Sequence, residues 1–445
     1  MKYFLCCLLI LIGTTEQCMA NEKYLPQQIH LSYTGNPTEI MITYTTLLNT
    51  NNATVRYSSI YKIPFLSLEV NSTNISKFTD GGALQRTVYI NRVLLTDLSP
   101  RTQYYYICGT EKYGWSSIYS FTTMKIMGSN EPTKIIFYGD FGDTNSISLS
   151  HIQSRVMMDN IDAILHIGDM AYNLADDNGL VGDQFMIDIE PIAAYVPYMT
   201  AVGNHEHAYN YSHYINRFSM PNREISNNMF YSWNIGSAHI ISFSSEMYFV
   251  PDTSTITEDI KQVYIQYKWL ENDLTKANEP KNRKLWPWII TMAHRPFYCS
   301  NPVGDACSWA INPVRDGILS RGQLRYGLED LFYNYDVDLE LWGHEHTYER
   351  LLPVYKKKTY TQNITYHNGT SYYNKPIVPV NIISGAPGNK EMNGEPVVFT
   401  NNSWNGMTTN QYGYSYIEIC NSTHLHINYF NGETNEIIDD LWIIK

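Results

Sequence analysis

Five short polar motifs carry the side chains of this sequence that could do chemistry. They are Gly139–Gly142 (GDFG), Gly168–Tyr172 (GDMAY), Gly203–Glu206 (GNHE), Ala293–Pro296 (AHRP) and Gly343–His346 (GHEH). Their donors are carboxylate, amide and phenol oxygens and imidazole nitrogens without a thiolate, a set that suits iron, zinc or manganese. Glycine precedes the donor in four of the five motifs, which predicts that the backbone turns sharply there and approaches a bound ion.

Taken singly, each motif has an ordinary structural explanation. A Gly-Asp pair is commonly a turn, Tyr172 is one of 37 tyrosines, and a histidine such as His294 after an apolar strand is often a satisfied core residue. All five motifs, however, directly follow predicted strands, where polar donors are costly unless something binds them. The carboxyl ends of strands are also where α/β folds place their ligands. The five motifs together therefore predict one metal site.

The elements that must position these motifs begin near Lys134, where predicted strands alternate with helices. This alternation indicates a layered α/β domain whose sheet is covered on both faces. The predicted strands are Lys134–Tyr138, Asp162–Ile167, Pro197–Val202, Ala238–Ser242, Trp286–Ala293 and Val337–Trp342. The predicted helices are Ser146–Asp159, Val181–Tyr195 and Ile260–Ala277, the first with Ile147, Ile152, Val156 and Met157 on one face. Three later strands, Val378–Ile383, Gly413–Ile419 and Leu425–Phe430, are expected to complete the second sheet.

The first part of the chain, from about Gln28 to Thr123, has a different pattern of short strands and turns. Tyr104, Tyr106 and Cys108 fall on one face of a strand by their period of two. This region resembles a fibronectin type III sandwich, and it contains no titratable cluster, so we expect a structural role. The predicted divisions are a signal peptide at 1–20, the sandwich at 22–125, the catalytic domain at 132–390 and C-terminal strands of that domain at 391–445.

The amino-acid composition and the net charge limit the classes of function that this protein can have. The 445 residues are 44% apolar and 17% charged, which supplies a large core and excludes overall disorder. The formal net charge is −12, the opposite of the excess that binding a nucleic-acid backbone requires. We therefore expect no nucleic-acid partner.

The motif set resembles the metallophosphoesterases and, among them, the purple acid phosphatases. Gly142 stands where the broader superfamily usually has histidine, and Tyr172 follows Asp169 by three residues, which is the purple acid phosphatase variant. The resemblance covers nearly the whole mature chain, and Arg295–Ser300 and His346–Arg350 look most like the animal members. It implies a fibronectin type III-like β-sandwich followed by a calcineurin-like layered α/β metallophosphoesterase domain.

The resemblance also implies a reaction and a ligand set. The expected activity is an acid phosphatase that hydrolyses small phosphate monoesters with a binuclear Fe(III)–M(II) centre and a metal-activated hydroxide. The second ion is expected to be divalent zinc, iron or manganese. The implied ligands are Asp140, Tyr172 and His346 for the ferric ion, Asn204, His294 and His344 for the second ion, and Asp169 shared by both.

Two further residues are candidates for contacting the substrate. His205 lies beside Asn204 and is expected to hydrogen-bond the phosphate or protonate the leaving group, with a packing role as the alternative. Plant members have a pair of histidines in the loop after the His294 position, but this chain has none from Phe297 to Tyr335. Arg295 is expected to supply positive charge near the phosphate or, equally, to form a structural salt bridge.

The N-terminal segment predicts export. Lys2 precedes an apolar run from Phe4 to Ile12, and small residues follow near Cys18–Ala20, which is the pattern of a secretory signal peptide. No other stretch has 18 uninterrupted apolar residues, so we expect no membrane span. The expected destination is secretion or the lysosome. The oligomeric state is not predicted.

Cysteines and glycosylation sequons agree with that destination. Of seven cysteines, four lie beyond the signal: Cys299 and Cys307 could close a local disulfide, and Cys108 and Cys420 could pair or stay reduced. Eight Asn-x-Ser/Thr sequons are expected to carry glycans. They are at Asn52, Asn71, Asn74, Asn210, Asn363, Asn368, Asn401 and Asn421.

Two alternatives to a phosphomonoesterase stay open. The same metal centre can serve phosphodiester or nucleotide pyrophosphate hydrolysis. An inactive metal-binding or adhesion module is the alternative from another class, although such a protein would be expected to lack at least one ligand, and every ligand position is filled.

Overall fold

The structure is a computed structural model that describes residues 22–61, 68–126, 129, 131–249, 256–300, 306–320, 322–392 and 399–445. The predicted signal peptide at 1–20 lies outside the described residues. Within the described ranges, no helix has the length and apolar character needed to cross a membrane.

Among the described residues, nine strands form the N-terminal unit. They are β1 (Gln27–Ser32), β2 (Ile40–Thr46), β3 (Ala53–Ser58), β4 (Leu68–Ser72), β5 (Ile75–Thr79), β6 (Thr87–Leu95), β7 (Gln103–Thr110), β8 (Gly114–Trp115) and β9 (Tyr119–Thr122). One sheet has the order β1-β2-β6-β5, and the other has β4-β3-β7-β8 with β9 also beside β7. Tyr104, Tyr106 and Cys108 are buried on one face of β7, as their spacing predicts. The expected β-sandwich is confirmed.

The second unit contains the remaining strands and the helices of the described residues. Its strands are β10 (Thr133–Tyr138), β11 (Phe141–Gly142), β12 (Ala163–Ile167), β13 (Met170–Ala171), β14 (Tyr198–Ala201), β15 (Tyr231–Ile235), β16 (Ala238–Ser242), β17 (Trp288–Ala293), β18 (Gly317–Ser320), β19 (Gln323–Tyr326), β20 (Leu339–Trp342), β21 (Tyr348–Leu351), β22 (Val354–Tyr355), β23 (Lys358–Thr359), β24 (Ile364–His367), β25 (Thr370–Asn374), β26 (Val380–Ser384), β27 (Asn405–Thr409), β28 (Gly413–Ile419), β29 (His424–Asn431) and β30 (Ile437–Ile444). Its helices are α1 (Leu149–Met158), α2 (Asp176–Ala193), α3 (Ala208–Arg217), α4 (Arg223–Ser226), α5 (Ile256–Ala277), α6 (Pro280–Leu285), α7 (Pro313–Asp316) and α8 (Glu329–Asn334).

Two mixed sheets form the centre of this unit. The eight-stranded sheet has the order β14-β12-β10-β28-β29-β30-β25-β24, and the seven-stranded sheet has β15-β16-β17-β20-β26-β21-β27. Strands β10, β12 and β14 are mutually parallel, as are β16, β17, β20 and β26. Strands β12, β17, β20 and β26 are buried throughout, which is why these sequences are almost continuously apolar.

The two sheets face each other, and helices cover their outer faces. Tyr348 of β21 stacks on Tyr429 of β29 at 4.1 Å between ring centroids, and Arg350 of β21 pairs with Asp439 of β30 at 2.7 Å. Helices α1 and α2 contribute to the core of the eight-stranded sheet, and α5 and α8 contribute to the core outside the seven-stranded sheet. The layered α/β prediction is therefore confirmed.

Two expectations about these elements differ from the structure. The first helix begins at Leu149 and buries Ile152 and Val156, but Met157 is 64% exposed because it lies about 100° around the helix from Val156. The late strands do not complete one sheet. Strand β26 joins the seven-stranded sheet beside β20, whereas β28 pairs antiparallel with β10 and brings β29 and β30 into the eight-stranded sheet.

Candidate metal centre

The five motifs meet where parallel strands of the two sheets end. The strands β10, β12 and β14 each stop within three residues of a predicted ligand, and β17 and β20 do so in the other sheet. The loops are joined by backbone hydrogen bonds, from Asp140 N to Gly168 O at 2.9 Å and from Gly343 N to His294 O at 3.0 Å. The loops of the two sheets meet where the backbone N–H of His344 donates to Oδ2 of Asp140 at 2.7 Å, so the predicted donors of both sheets lie at one edge of the domain.

Glycine before the donor serves close approach of these loops. A Cβ on Gly139 would lie 3.0 Å from the Cα of Gly343, and a Cβ on Gly168 would lie 2.9 Å from the Cα of Gly203. The sharp turn that the sequence assigned to glycine is made mainly by the donor residues. Asp140, Asp169, Tyr172 and His344 have φ values of 63°, 54°, 50° and 70°, in the left-handed region that such side chains rarely adopt.

The three predicted ligands of the ferric ion lie together. The Oη of Tyr172 is 3.2 Å from Oδ1 of Asp140 and 2.6 Å from Nε2 of His346. His346 Nε2 is in turn 3.5 Å from Asp140 Oδ1. Asp140 and Tyr172 are buried, whereas His346 is partly exposed. This group is therefore closed to solvent at Asp140 and Tyr172 and has an open side at His346.

The predicted ligands of the second ion form a neighbouring group. Nε2 of His294 lies 3.1 Å from Oδ1 of Asn204 and 3.2 Å from Nδ1 of His344. The other ring nitrogen of His294, Nδ1, donates to the carbonyl of Ile167 at 2.9 Å. This bond leaves Nε2 as the nitrogen that faces the group, the arrangement common for metal-binding histidines.

Asp169, the predicted shared ligand, contacts the second group through its carboxylate and the Asp140 loop through its backbone. Its Oδ2 lies 3.1 Å from Nε2 of His294, and donor atoms of Asp169, His294 and His344 all lie within 4.8 Å of one another. Its backbone carbonyl accepts a hydrogen bond at 3.1 Å from Phe141, the residue after Asp140. The structure thus brings all seven predicted ligands to one place.

The electrostatics of the second group favour a cation. Burial alone would lower the pKa of His294, but the carboxylates of Asp169 and Asp140 outweigh it and raise the pKa to about 10. Burial would raise the pKa of Asp169, but the imidazole of His294 holds it below its ordinary value. A buried imidazole that keeps its proton marks a place where positive charge is stabilised, and a metal ion would take that proton's place.

Tyr172 limits which kind of metal ion can bind beside it. Burial, reinforced by the charges of Asp140 and Asp169, raises the pKa of its phenol well above the ordinary value. Without a metal the phenol therefore keeps its proton. A strongly Lewis-acidic cation such as Fe(III) fits this position better than a weakly acidic one, because the phenolate must be stabilised against the surrounding carboxylates.

The spacing of the donors fits a shared cation. Ligand atoms about 2.1 Å from one metal ion lie roughly 3 Å from one another. The separations of 3.1 and 3.2 Å around His294 Nε2 have this value. The residues present therefore fit the metal centre that the sequence implies.

Two residues outside the predicted site residues support the ligands. The carboxylate of Glu206 accepts backbone N–H bonds from Asp169, Met170 and Gly203 at 2.9, 2.8 and 2.7 Å. Burial and the charge of Asp169 raise the pKa of Glu206 to about 8. This carboxylate joins the Asp169 loop to the Asn204 loop.

The second is Asn389, whose amide nitrogen donates to the carbonyl of Asp140 and to Oη of Tyr172, both at 2.9 Å. A Cβ on Gly142 would lie 2.9 Å from the Cα of Asn389, so the residue that replaces the superfamily's histidine makes room for this contact. The signal for Asn389 was present in the sequence, since it follows the buried strand β26 and Gly388 as the other donors follow theirs.

The two candidate substrate-contacting residues lie at the open side. His205 donates its backbone N–H to Oδ1 of Asp169 at 2.9 Å, and its side chain is 20% exposed. Arg295 pairs through Nε with Glu246 at 3.0 Å, and its Nη1 lies 2.8 Å from Nε2 of His344. The structure thus contains the salt bridge that the sequence left open and also places this guanidinium against a predicted ligand.

A disulfide lies behind the ligand loop. Cys299 and Cys307 are joined by a disulfide bond. Sγ of Cys307 lies 2.9 Å from Oε1 of Glu345. Glu345 is buried, and in the sequence it stands between the predicted ligands His344 and His346. Cys108 and Cys420 are not paired with each other.

Comparisons with known proteins agree with this geometry. Three family profiles match: the purple acid phosphatase N-terminal domain at residues 26–123, the calcineurin-like phosphoesterase at 133–348, and the iron/zinc purple acid phosphatase-like protein C at 378–440. Acid phosphatase type 7 of Homo sapiens is 42% identical over 448 residues, which cover 100% of this chain and 97% of the human protein. The chain belongs to the purple acid phosphatase family. Probable purple acid phosphatase 20 of Arabidopsis thaliana is 30% identical over 347 residues, covering 76% of this chain and 72% of that protein.

A solved structure shows the shared fold. Purple acid phosphatase PPD1 from yellow lupin (Lupinus luteus) seeds matches with a TM-score of 0.73 and 23% identity, over 95% of this chain and 74% of that one. Family membership and the metallophosphoesterase fold support phosphatase activity, and the prediction of a hydrolase of this family is confirmed.

Proposed function

We propose that this protein is an acid phosphatase that hydrolyses small phosphate monoesters at a binuclear centre of Fe(III) and a second divalent ion of zinc, iron or manganese. Asp140, Tyr172 and His346 would hold the ferric ion, Asn204, His294 and His344 the second ion, and Asp169 both. The observation that carries this proposal is the convergence of these seven side chains, from strand ends of two sheets, into two adjacent donor groups.

When bound, the two cations would neutralise phosphate charge and lower the pKa of a water so that hydroxide is available in acid. The chain's own residues supply the rest. Nδ1 of His294 is held by the Ile167 carbonyl, so its ring orientation is set before any ion arrives. Arg295 brings positive charge to the open side beside His344, and this charge would attract the phosphate although Glu246 neutralises part of it.

His205 is the residue proposed to handle a proton. Its Nε2 lies 3.8 Å from Oδ2 of Asp169, at the open side where an ester oxygen would leave. Hydrolysis forms a P–O bond to hydroxide and breaks the P–O bond to the leaving group. The proton on His205 Nε2 would join the leaving oxygen, so that a neutral alcohol departs.

The proposal is tested by metal analysis, a visible spectrum and turnover of the purified protein. We expect two metal ions per chain, at least one of them iron, a phenolate–Fe(III) absorption band, and hydrolysis of p-nitrophenyl phosphate at pH 5 in preference to the bis ester. Preferential turnover of the bis ester would favour the phosphodiesterase alternative. Absence of turnover in protein loaded with both metals would overturn the proposal.

Single substitutions separate the roles. Asp169→Ala should lose both metals and activity, because the carboxylate shared by the two groups is gone. His205→Ala should retain both metals and lower the rate for an alkyl ester such as glycerol 2-phosphate by roughly 100-fold, within the range for removing a general acid. His367→Ala, which changes an exposed histidine on β24, is the matched control and should change neither metal content nor rate. Full activity in Asp169→Ala would contradict the shared-ligand assignment.

We also propose that the protein is a glycoprotein secreted from the cell or delivered to the lysosome. In support, seven of the eight sequon asparagines are exposed and Asn52 is partly exposed, so none requires unfolding for glycan transfer. Treatment with an N-glycosidase should reduce the apparent mass of protein from a secretory host. An unchanged mass, with the protein retained in the cytosol, would overturn this proposal.

A further inference from the structure

Asn173, directly after Tyr172, makes contacts that the proposed reaction has not used. Its amide Oδ1 lies 2.8 Å from Nδ1 of His205, and its amide nitrogen donates to a carboxylate oxygen of Asp176 at 3.0 Å. Its φ of 141° lies in the range that side chains rarely adopt. A strained backbone beside an active site is a reason to ask what its side chain does.

The direction of both hydrogen bonds follows from the chemistry of the groups. An ionised carboxylate only accepts, so the amide nitrogen of Asn173 must face Asp176. The amide oxygen is then turned to His205, and because that oxygen also only accepts, Nδ1 of His205 carries a hydrogen. The nitrogen left for chemistry is Nε2.

Nε2 is also the nitrogen that faces the open side of the site. It lies 3.8 Å from Oδ2 of Asp169 and 3.7 Å from Oε1 of Glu391. The backbone bond from His205 to Asp169 and the tilted contact of its ring with Tyr172, at 4.5 Å between centroids, hold the residue in place. Neither contact distinguishes the two orientations related by a 180° flip of the ring, whereas the bond to Asn173 does.

We propose that Asn173 is a positioning residue that aims Nε2 of His205 at the leaving oxygen of the phosphate ester. The inference rests on the proposed phosphatase function and adds the residue that orients its general acid. With Asn173 in place, the electron pair of the breaking P–O bond goes to the leaving oxygen and the proton of His205 Nε2 joins it. A flipped ring would present a carbon at this position, and the leaving group would depart as an alkoxide.

The consequence is a dependence on the leaving group. A p-nitrophenolate departs readily without a proton, whereas the alkoxide of glycerol 2-phosphate does not. Loss of the positioning bond should therefore lower kcat for glycerol 2-phosphate about 10- to 100-fold, a share of the effect of a general acid, and lower kcat for p-nitrophenyl phosphate less than about 3-fold. KM for both substrates should stay within about 2-fold.

The test compares two variants with the wild-type holoenzyme. Asn173→Gly removes the amide at a backbone position that glycine tolerates. The double variant Asn173→Asp with Asp176→Asn exchanges the partners, keeps an acceptor for His205 and a donor between the two side chains, and should restore kcat for glycerol 2-phosphate to within about 3-fold of wild type. Asn160→Gly is the control, because Asn160 is exposed and has a φ of 52°.

Readouts other than turnover separate positioning from structural damage. Asn173→Gly should keep two metal ions per chain and an unchanged inhibition constant for inorganic phosphate. In the His205→Ala background the same substitution should change kcat for glycerol 2-phosphate less than about 2-fold, because both substitutions remove the same function, protonation of the leaving oxygen.

Failure of this inference is distinguishable from failure of the proposed function. If wild type hydrolyses both esters and Asn173→Gly slows them equally, slows neither, or loses metal, the positioning role is overturned and the phosphatase assignment stands. A failure of the exchanged double variant to restore alkyl phosphate turnover, with its metals intact, also overturns it. If the metal-loaded wild type hydrolyses neither ester, the proposed function fails and the inference fails with it.

Discussion

Four predicted ligand residues hold left-handed backbone conformations, namely Asp140, Asp169, Tyr172 and His344. Each such conformation costs of order 1–3 kcal/mol for a residue with a side chain. The surrounding contacts maintain this strain, since Asp140 Oδ2 accepts from the backbone N–H of His344 at 2.7 Å and Glu206 holds the backbone of Asp169. The donor geometry is therefore set by the protein itself.

Tyr172→Phe tests the proposal that Tyr172 binds a ferric ion as a phenolate. The variant keeps the ring but removes the Oη that lies 3.2 Å from Asp140 and 2.6 Å from His346. We expect the visible absorption band of the metal-loaded protein to disappear and iron retention on dialysis to fall at least about 10-fold. Tyr366→Phe, at a 65% exposed tyrosine, should leave the spectrum unchanged. A band that survives in Tyr172→Phe would show that this phenol is not a ligand.

Glu206→Gln tests the carboxylate beneath Asp169. A glutamine amide turns an NH₂ towards at least one of the three backbone N–H groups that Glu206 now accepts from. The free energy of unfolding should fall by about 1–3 kcal/mol, and metal should dissociate faster because the Asp169 loop loses its anchor. Urea unfolding and metal release into a chelator measure the two effects. Glu433→Gln, at an exposed position, should show neither effect.

At the scale of single residues, the sequence indicates the candidate metal-binding side chains better than the residues that hold those side chains in place. The five motifs could be located because each follows an apolar strand, where a polar side chain requires an explanation, whereas the choice of seven ligands within them is implied by the resemblance to the purple acid phosphatases. Asn389 follows the same pattern but is not among the predicted donors. Asn173 could not be assigned a role from sequence, because its partner His205 is 32 residues away and the bond depends on how two loops cross.

Two elements that follow the ligand loops are held against the N-terminal sandwich by a buried polar cluster. Helix α2 follows Tyr172 and helix α3 follows His205, and the hairpin between β5 and β6 contacts both. The interdomain cluster consists of Asp80, Arg86, Asp183, His213 and Arg217. His213 donates to Asp80 at 2.8 Å and accepts from Arg217 at 3.3 Å, the bonds of a neutral imidazole. Burial and the charge of Arg217 lower the pKa of His213 to about 4.

Arg217→Met tests this cluster. Arg217 is 3% exposed, and its removal leaves Asp183 with Arg86 alone and the carbonyl of Gly179 without its donor. Breaking a buried ion pair by removing one partner costs about 3–5 kcal/mol, and the midpoint of urea unfolding should fall accordingly. Arg223→Met removes a pair with the exposed Glu224 and should cost less than about 1 kcal/mol. Equal effects of the two substitutions would show that the buried cluster contributes no more to the free energy of unfolding than an exposed ion pair does.

Helices and strands were predictable where their apolar residues form a regular or uninterrupted pattern. The strands predicted at Ala238–Ser242 and Val337–Trp342 correspond closely to β16 and β20, and the helix predicted at Ile260–Ala277 corresponds to α5, which starts at Ile256. The partners of β26 and β28 were not predictable, because a buried strand has the same apolar sequence in either sheet. Long-range pairing, rather than local pattern, decides between them.

At the scale of the molecule, stability should depend on pH through a buried histidine in the core. His166 of β12 is surrounded by aromatic rings, and burial lowers its pKa to about 3 from an ordinary value of 6.5. Between these values the unfolded chain binds a proton that the folded chain does not, so the free energy of unfolding falls as pH falls from 6.5 towards 3. Above pH 6.5 the group has no effect.

His166→Asn should flatten this dependence. Asparagine keeps a polar partner for the Tyr198 hydroxyl, which lies 2.7 Å from Nδ1 of His166, but it does not titrate. Between pH 6 and 4.5 we expect wild type to lose about 1 kcal/mol per pH unit more than the variant, measured by urea unfolding at each pH. His367→Asn should retain the wild-type slope. A His166→Asn slope equal to that of wild type would contradict the assignment.

The disulfide behind the ligand loop has a consequence for how the protein matures. Because Sγ of Cys307 packs on Glu345, the residue between the predicted ligands His344 and His346, oxidation of the thiols should precede uptake of metal ions. Expression in a reducing bacterial cytosol would then give chains whose sheets assemble but whose ion content is low. Passage through an oxidising compartment, or oxidative refolding before metal is added, is the production route that this arrangement calls for.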